Sequence, residues 1–367
     1  MKLIPKLNTL KLSPGVHIYE QPICLDTESS LCGYSKESTV IKFRGDFFGP
    51  CIRSKNLENL VGTNKWFYQD GVPARMSLTN LTLDFSEWKP KHNKNNIFSK
   101  LFSFTGNYDV GKFGVALYAK KYEVNNVTIR NCPKHGFYSS CSNLGGKKDF
   151  YYDSPEAFID NLEITNCIGA GFVFSGPHDA LIKTLIVSNT GGKGVDIYNT
   201  NKHHGACDID FIHAYGNGDI SIDIRSKVKA RLLQGDTGTG SGVRITGSDK
   251  TIIDTIESFK TRRKNNDSYE NFSVYLSAHN TQINNIRIRA DAGADGLFID
   301  SGFNQINSLS INCAYPHSDF KHLDIDNPPI PLLINKGSNM IGSYFCENNI
   351  KPAILSIKKL SKCYFGS

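Results

Sequence analysis

Two aspartates, Asp196 and Asp223, have the residue type and the setting that acid–base chemistry requires. Each is the third residue of a short segment, 194–198 or 221–225, in which apolar and other residues alternate. This alternation predicts a strand with its apolar side chains buried, so both aspartates are expected on the opposite, outer face. Neighbouring parallel strands lie about 4.8 Å apart, which would place the two carboxylates side by side. Because two such charges repel, the pKa of one carboxyl group is expected to rise.

A pair of this kind suits the hydrolysis of a glycosidic bond, with one carboxyl group as acid and the other as base or nucleophile. Carboxyl groups about 5 Å apart would favour retention of configuration and a separation of about 6.5–9.5 Å would favour inversion; both remain open. Arg225 and Arg244 are expected beside the pair. The opposing interpretation is a solvated ladder of ion pairs without a catalytic role.

The strands that must position these residues belong to an irregular repeat. Successive intervals vary between 21 and 35 residues, which is more variable than leucine-rich, ankyrin or propeller repeats allow. The repeated segments begin at residues 136, 171, 194, 221, 242, 273, 296, 322 and 353. A second set of alternating strands lies between them, at 126–129, 161–164, 184–187 and 285–288. Several strands of the second type end in an asparagine that is expected to turn a left-handed corner and to stack in a column, namely Asn131, Asn166, Asn189 and Asn312.

Composition narrows the class of protein. The chain has 367 residues, 32 of them glycine, and a formal net charge of +7, so turns and strands are expected rather than helix bundles. Ten cysteines show no Cys-x-x-Cys pair and no Cys/His spacing suited to zinc, so neither a metal nor a cofactor is predicted. Cys132, Cys167 and Cys313 each follow an asparagine and are expected to be buried corner residues without disulfides.

The opening of the chain carries a resemblance to a known family. Leu12 to Ile18 contains Pro-Gly-Val-x-Ile, a Pro-Ile strand begins at Pro22, and Thr39-Val40-Ile41 follows a glycine-containing bend. With the repeat, this resembles pectate-lyase-like proteins, including phage tailspike polysaccharide depolymerases, over roughly residues 10–345. The resemblance implies an all-β fold, a single-stranded right-handed parallel β-helix with irregular loops. One domain over residues 1–367 is expected, with an N-terminal cap and first coils over about 1–110, regular coils over about 111–345 and a C-terminal cap over about 346–367.

The same resemblance implies a polysaccharide depolymerase. The first hypothesis is a glycoside hydrolase that cleaves bacterial capsular or O-antigen polysaccharide on the outer face of the β-helix, with Asp196 and Asp223 as catalytic residues. One alternative is a lyase on an acidic glycan, with roles for Tyr198, Arg225, Arg244 or Lys227. The other alternative is a non-catalytic carbohydrate-binding tail or adhesion protein. The polygalacturonase signature is not reproduced, because the chain has neither an Asp-Asp pair nor Gly-His-Gly.

Further residues are expected to line the same face. The candidates for substrate binding are Tyr198, Arg225, Arg244, Tyr275, Phe298, His203 and His204. Outward-facing rings among them would stack on sugars or meet a neighbouring subunit. His135 precedes another strand and is a further residue that could border the groove. Asp300, Asp324 and Asp326 are secondary acidic candidates.

Expected partners follow from the resemblance and from the composition. The resemblance implies a polysaccharide substrate, a homotrimer and attachment to a phage tail. No nucleic acid partner is expected, because basic and aromatic residues do not interleave in a recognisable motif. No membrane insertion is expected, since no stretch reaches about 18 apolar residues. The N-terminus shows no export signal, so the expected location is a virion tail or the extracellular space, and the cytoplasm if neither applies.

Overall fold

The structure is a computed structural model in which the chain divides into two compact units, Met1–Ile186 with Tyr198–Cys207 and Val187–Ile197 with Asp208–Ser367. One domain over the whole chain remains a prediction, and each unit is described by itself. The structure describes residues 8–55, 57, 75–91, 108–119, 121–140, 156–175, 179–198, 207–236, 238–260, 272–290, 294–300, 303–312, 330, 332–335, 338–347 and 363–365.

The first unit consists of strands from two sheets, and from residue 39 onwards consecutive strands alternate between them. In chain order these are β1 (Asn8–Lys11), β2 (Gly15–Tyr19), β3 (Ile23–Leu25), β4 (Ser29–Cys32), β5 (Thr39–Phe47), β6 (Ile52–Ser54), β7 (Arg75–Pro90), β8 (Phe113–Leu117), β9 (Lys121–Arg130), β10 (His135–Ser140), β11 (Glu156–Cys167) and β12 (Phe172–Ser175). A 3-10 turn, Val110–Lys112, precedes β8. One sheet has the order β1-β4-β7-β9-β11, with β5 pairing β2 and β7, and the other has the order β3-β6-β8-β10-β12.

The second unit repeats this alternation. Its strands are β16 (Ile222–Arg225), β17 (Lys229–Asp236), β18 (Val243–Asp249), β19 (Ile252–Lys260), β20 (Phe272–His279), β21 (Thr281–Ala290), β22 (Asp295–Ile299), β23 (Phe303–Asn312), β24 (Leu332–Ile334), β25 (Ser338–Glu347) and β26 (Cys363–Phe365). Residues from both units occur in β13 (Ala180–Thr190), β14 (Val195–Tyr198) and β15 (Cys207–Tyr215). One sheet has the order β15-β17-β19-β21-β23-β25-β26 and the other the order β14-β16-β18-β20-β22-β24.

Alternate residues of each strand form the interior of the coils. Ile222, Val243, Val274 and Leu297 occupy equivalent positions on consecutive strands, and all four are fully buried. Burying one such side chain contributes about 1.5–3 kcal/mol relative to leaving it exposed. Because the strands pair in parallel and the chain adds them to the two sheets in turn, the predicted parallel β-helix is confirmed.

Left-handed asparagines mark corners of the coils, as the sequence predicts. Asn131, Asn166 and Asn189 have φ values of 59°, 56° and 54°. Asn166 also donates from Nδ2 to Oδ1 of Asn131 at 3.4 Å, which is a long hydrogen bond. Asn312 does not share this conformation, so the prediction is wrong at that residue. Beside the first two corners, Cys132 and Cys167 are buried free thiols, as expected, whereas Cys313 lies outside the described residues.

A second column of asparagines joins β7, β9 and β11. Asn126 donates from Nδ2 to Oδ1 of Asn80 at 2.9 Å, and Asn161 donates in the same way to Asn126 at 2.8 Å. All three have positive φ, between 49° and 57°. A left-handed conformation costs a residue with a side chain roughly 1–2 kcal/mol, and the hydrogen bonds between the amides offset part of that cost.

One assignment in the repeat is corrected. The strand that pairs with β22 on the side away from β20 is β24, with Leu297 opposite Leu332 and Ile299 opposite Ile334. The repeat assigns this place to residues 322–326, which lie outside the described residues. The error arose because a Leu-x-Ile pattern occurs in both segments, and only strand pairing distinguishes them.

Candidate functional site

Asp196 and Asp223 lie on adjacent strands of the second unit, as predicted. The backbone N–H of Val195 donates to the carbonyl of Ser221 at 2.9 Å, which aligns β14 with β16. In the next pairing, Asp223 lies opposite Arg244. Since Val195 and Ile222 point into the core, the aspartates between the core residues point to the outer face.

Three cations hold the two carboxylates in place. Arg225 donates from Nη2 to Asp196 Oδ1 at 2.7 Å and Oδ2 at 2.8 Å. Arg244 donates from Nε to Asp223 Oδ1 at 2.9 Å and from Nη2 to Asp223 Oδ2 at 2.7 Å. Lys193 bridges the pair, with Nζ 3.0 Å from Asp196 Oδ2 and 2.5 Å from Asp223 Oδ2. These five residues are called the charge ladder below.

Burial in the charge ladder is the reverse of the expectation. Both aspartate side chains are 0% exposed, whereas Lys193 and Arg244 are 17% exposed and Arg225 is 37% exposed. The prediction that the carboxylates face solvent is therefore wrong, because the three cations lie over them. The ladder carries one more positive than negative charge, and its solvent-accessible part is cationic.

The pKa of Asp223 is lowered, so Asp223 is not the carboxyl group of the pair whose pKa was expected to rise. Burial by itself raises the pKa of this carboxyl group, but hydrogen bonds from Arg244 and Lys193 and the charges of both cations outweigh burial. The pKa therefore lies below its ordinary value, and Asp223 is ionised at neutral pH. Sequence reasoning omitted Lys193, whose only signal is its position three residues before Asp196, on the turn that leads into β14.

The tyrosines expected to project from the face are buried. Tyr198 is 5% exposed and belongs, within the first unit, to an apolar cluster that includes Tyr138, Val173 and Val110. The expectation of an exposed ring at Tyr198 is wrong, because residues that precede β8 pack over the outer face there. Tyr275 is 9% exposed. A direct role of either tyrosine in substrate binding remains a prediction.

Phe298 and Asp300 lie further along the same face of the second unit, and both are half-buried. Phe298 is opposite Tyr275, with the ring centroids 5.3 Å apart. Asp300 accepts hydrogen bonds from Tyr275 Oη at 3.1 Å and from Asn335 Nδ2 at 2.8 Å. His203, His204, Asp324 and Asp326 lie outside the described residues, and their roles remain predictions.

His135 is buried in the first unit rather than at the edge of an open groove. Its Nδ1 accepts a hydrogen bond from the backbone N–H of Ala170 at 2.9 Å, and its ring stacks on Phe113 at 4.7 Å. Burial, with smaller contributions from the charges of Lys134 and Lys112, lowers the pKa of His135 from 6.5 to about 3. The imidazole is therefore neutral at neutral pH and structural in character.

Within the described part of the chain, no group of three or more His, Cys, Asp or Glu side chains is arranged to hold a metal ion. No helix among these residues has the length and hydropathy to cross a membrane.

Fold and charge ladder together define a parallel β-helix protein with a cationic strip on one outer face. No protein-family profile and no curated protein sequence matches the chain. Among solved structures it is similar to the catalytic domain of Agl-KA, at 13% identity and a TM-score of 0.62, covering 97% of this chain and 61% of that one. It is also similar to pre-mature gene product 12 of bacteriophage phi29, at 12% identity and a TM-score of 0.55, covering 92% and 48%. The chain thus spans about half to three fifths of these two proteins, and the likeness concerns the fold.

Proposed function

We propose that the protein is a polysaccharide depolymerase that acts on an acidic bacterial capsular or O-antigen glycan. The observation that carries this proposal is the charge ladder, in which two fully buried carboxylates orient three partly exposed cations. Cations held in this way are pre-organised to bind anionic groups on an extended ligand. The fold supports the proposal, since an enzyme catalytic domain and a phage protein share it.

Hydrolysis by Asp196 and Asp223 is one mechanism. The lowered pKa of Asp223 suits a base or nucleophile, which leaves Asp196 to protonate the departing oxygen. Arg225 donates hydrogen bonds to both oxygens of Asp196. Contact of Asp196 with a substrate therefore requires Arg225 to transfer its hydrogen bonds to an anionic group of the substrate.

β-Elimination is the second mechanism, and the exposed cations favour it. A lyase needs a positive group to neutralise the uronate carboxylate and a base to remove the neighbouring proton, after which the glycosidic oxygen departs and a double bond forms. Arg225 and Arg244 are partly exposed and each is paired with an aspartate, which supports a role in neutralising a substrate carboxylate. The residues predicted from the sequence for these two roles remain Tyr198, Arg225, Arg244 or Lys227.

The test incubates the protein with a panel of purified capsular and O-antigen polysaccharides and follows reducing ends and ultraviolet absorbance of unsaturated products. New reducing ends without absorbance, lost in Asp196→Asn and Asp223→Asn, support hydrolysis; absorbance supports elimination. Asp210→Asn is the matched control, because Asp210 is an exposed carboxylate on β15. Binding without any product would replace the proposal with a non-catalytic carbohydrate-binding protein. Absence of both binding and cleavage would contradict it.

The biological setting is proposed with the function. A homotrimer attached to a phage tail, and thus a virion or extracellular location, accords with the similarity in fold to a phage protein. Light scattering coupled to gel filtration measures the subunit number. A monomeric mass at micromolar concentration would contradict the trimer while leaving the depolymerase proposal intact.

A further inference from the structure

The outer face of the second unit continues beyond the charge ladder into a patch of different chemistry. Arg244 on β18 is opposite Tyr275 on β20, and Tyr275 is opposite Phe298 on β22. Asp300 and Asn335 directly follow β22 and β24, and their backbone N–H groups donate to Leu276 and Ile299 at 2.8 Å each. Tyr275, Phe298, Asp300 and Asn335 are called the neutral-sugar patch below.

Asp300 differs from the aspartates of the ladder in its partners. Among the described residues, its carboxylate accepts only from neutral groups, the hydroxyl of Tyr275 and the amide of Asn335. A carboxylate has about four acceptor positions, so these two hydrogen bonds leave further positions for hydroxyl groups of a ligand. Asn335 is exposed and keeps a carbonyl oxygen and a second N–H for the same use.

Phe298 supplies an apolar surface beside these polar groups. Its ring packs against two rings of β20, Phe272 at 5.1 Å and Tyr275 at 5.3 Å between centroids, and these contacts restrict its position. The side chain is only half-buried. A fixed, partly exposed ring next to a carboxylate and an amide provides an apolar surface and hydroxyl acceptors, which together suit an uncharged sugar ring.

The distance between the charge ladder and the neutral-sugar patch predicts the length of the repeating unit in a bound glycan. Arg244 and Phe298 lie two strands apart, which corresponds to roughly 10 Å at the usual spacing of parallel strands. This distance is comparable to the length of a disaccharide. A glycan that runs across the strands would therefore place an anionic group at the ladder and an uncharged sugar at the patch.

We infer that the face has two subsites and selects a glycan in which acidic and uncharged sugar residues alternate. The charge ladder binds the acidic residue, and the neutral-sugar patch binds the uncharged residue. This inference rests on the proposed function, because it specifies the substrate class of the same face. A uniformly acidic chain would place a carboxylate beside Asp300, which repels it.

The test compares binding of hyaluronan, in which uronate and an uncharged amino sugar alternate, with binding of polygalacturonate, which is uniformly acidic. Bacterial polysaccharides of both repeat types complete the panel. Wild-type protein is expected to prefer the alternating polymers. Asp300→Asn and Tyr275→Phe are expected to reduce that affinity about tenfold, the value of one hydrogen bond to a charged group. Arg244→Gln is expected to weaken binding of both polymer types.

Both variants of the patch nearly preserve side-chain shape, and thermal denaturation shows whether they fold as the wild type does. Asp210→Asn serves again as the control for loss of a carboxylate. Equal binding of the two polymer types, unchanged by Asp300→Asn and Tyr275→Phe, would overturn the two-subsite inference and leave the proposed function standing. Failure of the wild type to bind any polymer in the panel would overturn both.

Discussion

Arg244 donates to both carboxylate oxygens of Asp223, at 2.9 Å and 2.7 Å, while Asp223 itself is completely shielded from solvent. Lys193 contacts the same carboxylate from the turn before β14. A buried charge is stable only when such partners replace its lost hydration. The aspartates of the charge ladder therefore orient the cations, and the cations in turn stabilise the buried aspartates.

Replacing Asp223 with asparagine is expected to destabilise the fold. The substitution leaves Arg244 and Lys193 without a carboxylate that both contact. Breaking a buried ion pair by removing one partner costs about 3 kcal/mol in free energy of unfolding. Chemical denaturation measures the change, and Asp210→Asn should stay within about 0.5 kcal/mol of wild type. Equal stability of the two variants would show that the ladder does not support the fold.

Acid is expected to destabilise the first unit through His135. Its pKa is about 3 in the folded protein and 6.5 as the ordinary value, so the unfolded chain binds more protons between these two values. The contribution of His135 to the free energy of unfolding is fully present above pH 6.5. It falls as the pH decreases towards 3, by up to about 1.4 kcal/mol per pH unit.

The variant His135→Gln retains a side chain that accepts a hydrogen bond from Ala170 and does not titrate. Its unfolding free energy should vary less with pH than that of wild type over the same window. The comparison uses denaturant titrations at several pH values. Parallel pH profiles for the two proteins would mean that His135 is not buried in its neutral form.

Binding of an acidic polysaccharide is expected to depend on salt and on Arg225. Raising the ionic strength to about 1 M shortens the screening length to about 3 Å and should weaken binding to the partly exposed cations. Arg225→Gln should lower the affinity about tenfold, whereas Lys229→Gln, at an exposed position on β17, should change it little. Biolayer interferometry with an immobilised glycan measures both effects. Salt-independent binding would count against recognition by the ladder.

The asparagine column of the first unit predicts a graded pair of variants at Asn126. Asn126→Ala removes the hydrogen bonds to Asn80 and Asn161, and the alanine still has a Cβ that is strained in the left-handed conformation. The substitution should therefore lower the free energy of unfolding by about 2–4 kcal/mol. Glycine removes the same hydrogen bonds without the backbone strain and should cost about 1 kcal/mol less. Denaturant midpoints of both variants measure the difference. A glycine variant less stable than the alanine variant would contradict this account.

Sequence patterns predicted a large part of the candidate site. Alternation placed Asp196 and Asp223 on the outer face of adjacent strands, and the shared spacing of the segments placed Arg244 on the next strand. Burial could not be predicted in the same way. Whether an outward side chain is exposed depends on what packs above the sheet, and Lys193 lies outside the repeated segment.

By itself, the sequence determined the architecture. The two-residue period of the strands and the irregular repeat specify parallel coils, because each apolar face must be buried against the next coil. Only the tertiary structure decided that the carboxylates lie beneath cations, that Tyr198 is buried, and that β24 rather than residues 322–326 pairs with β22. These features depend on contacts between residues distant in the chain, and local periodicity carries no information about such contacts.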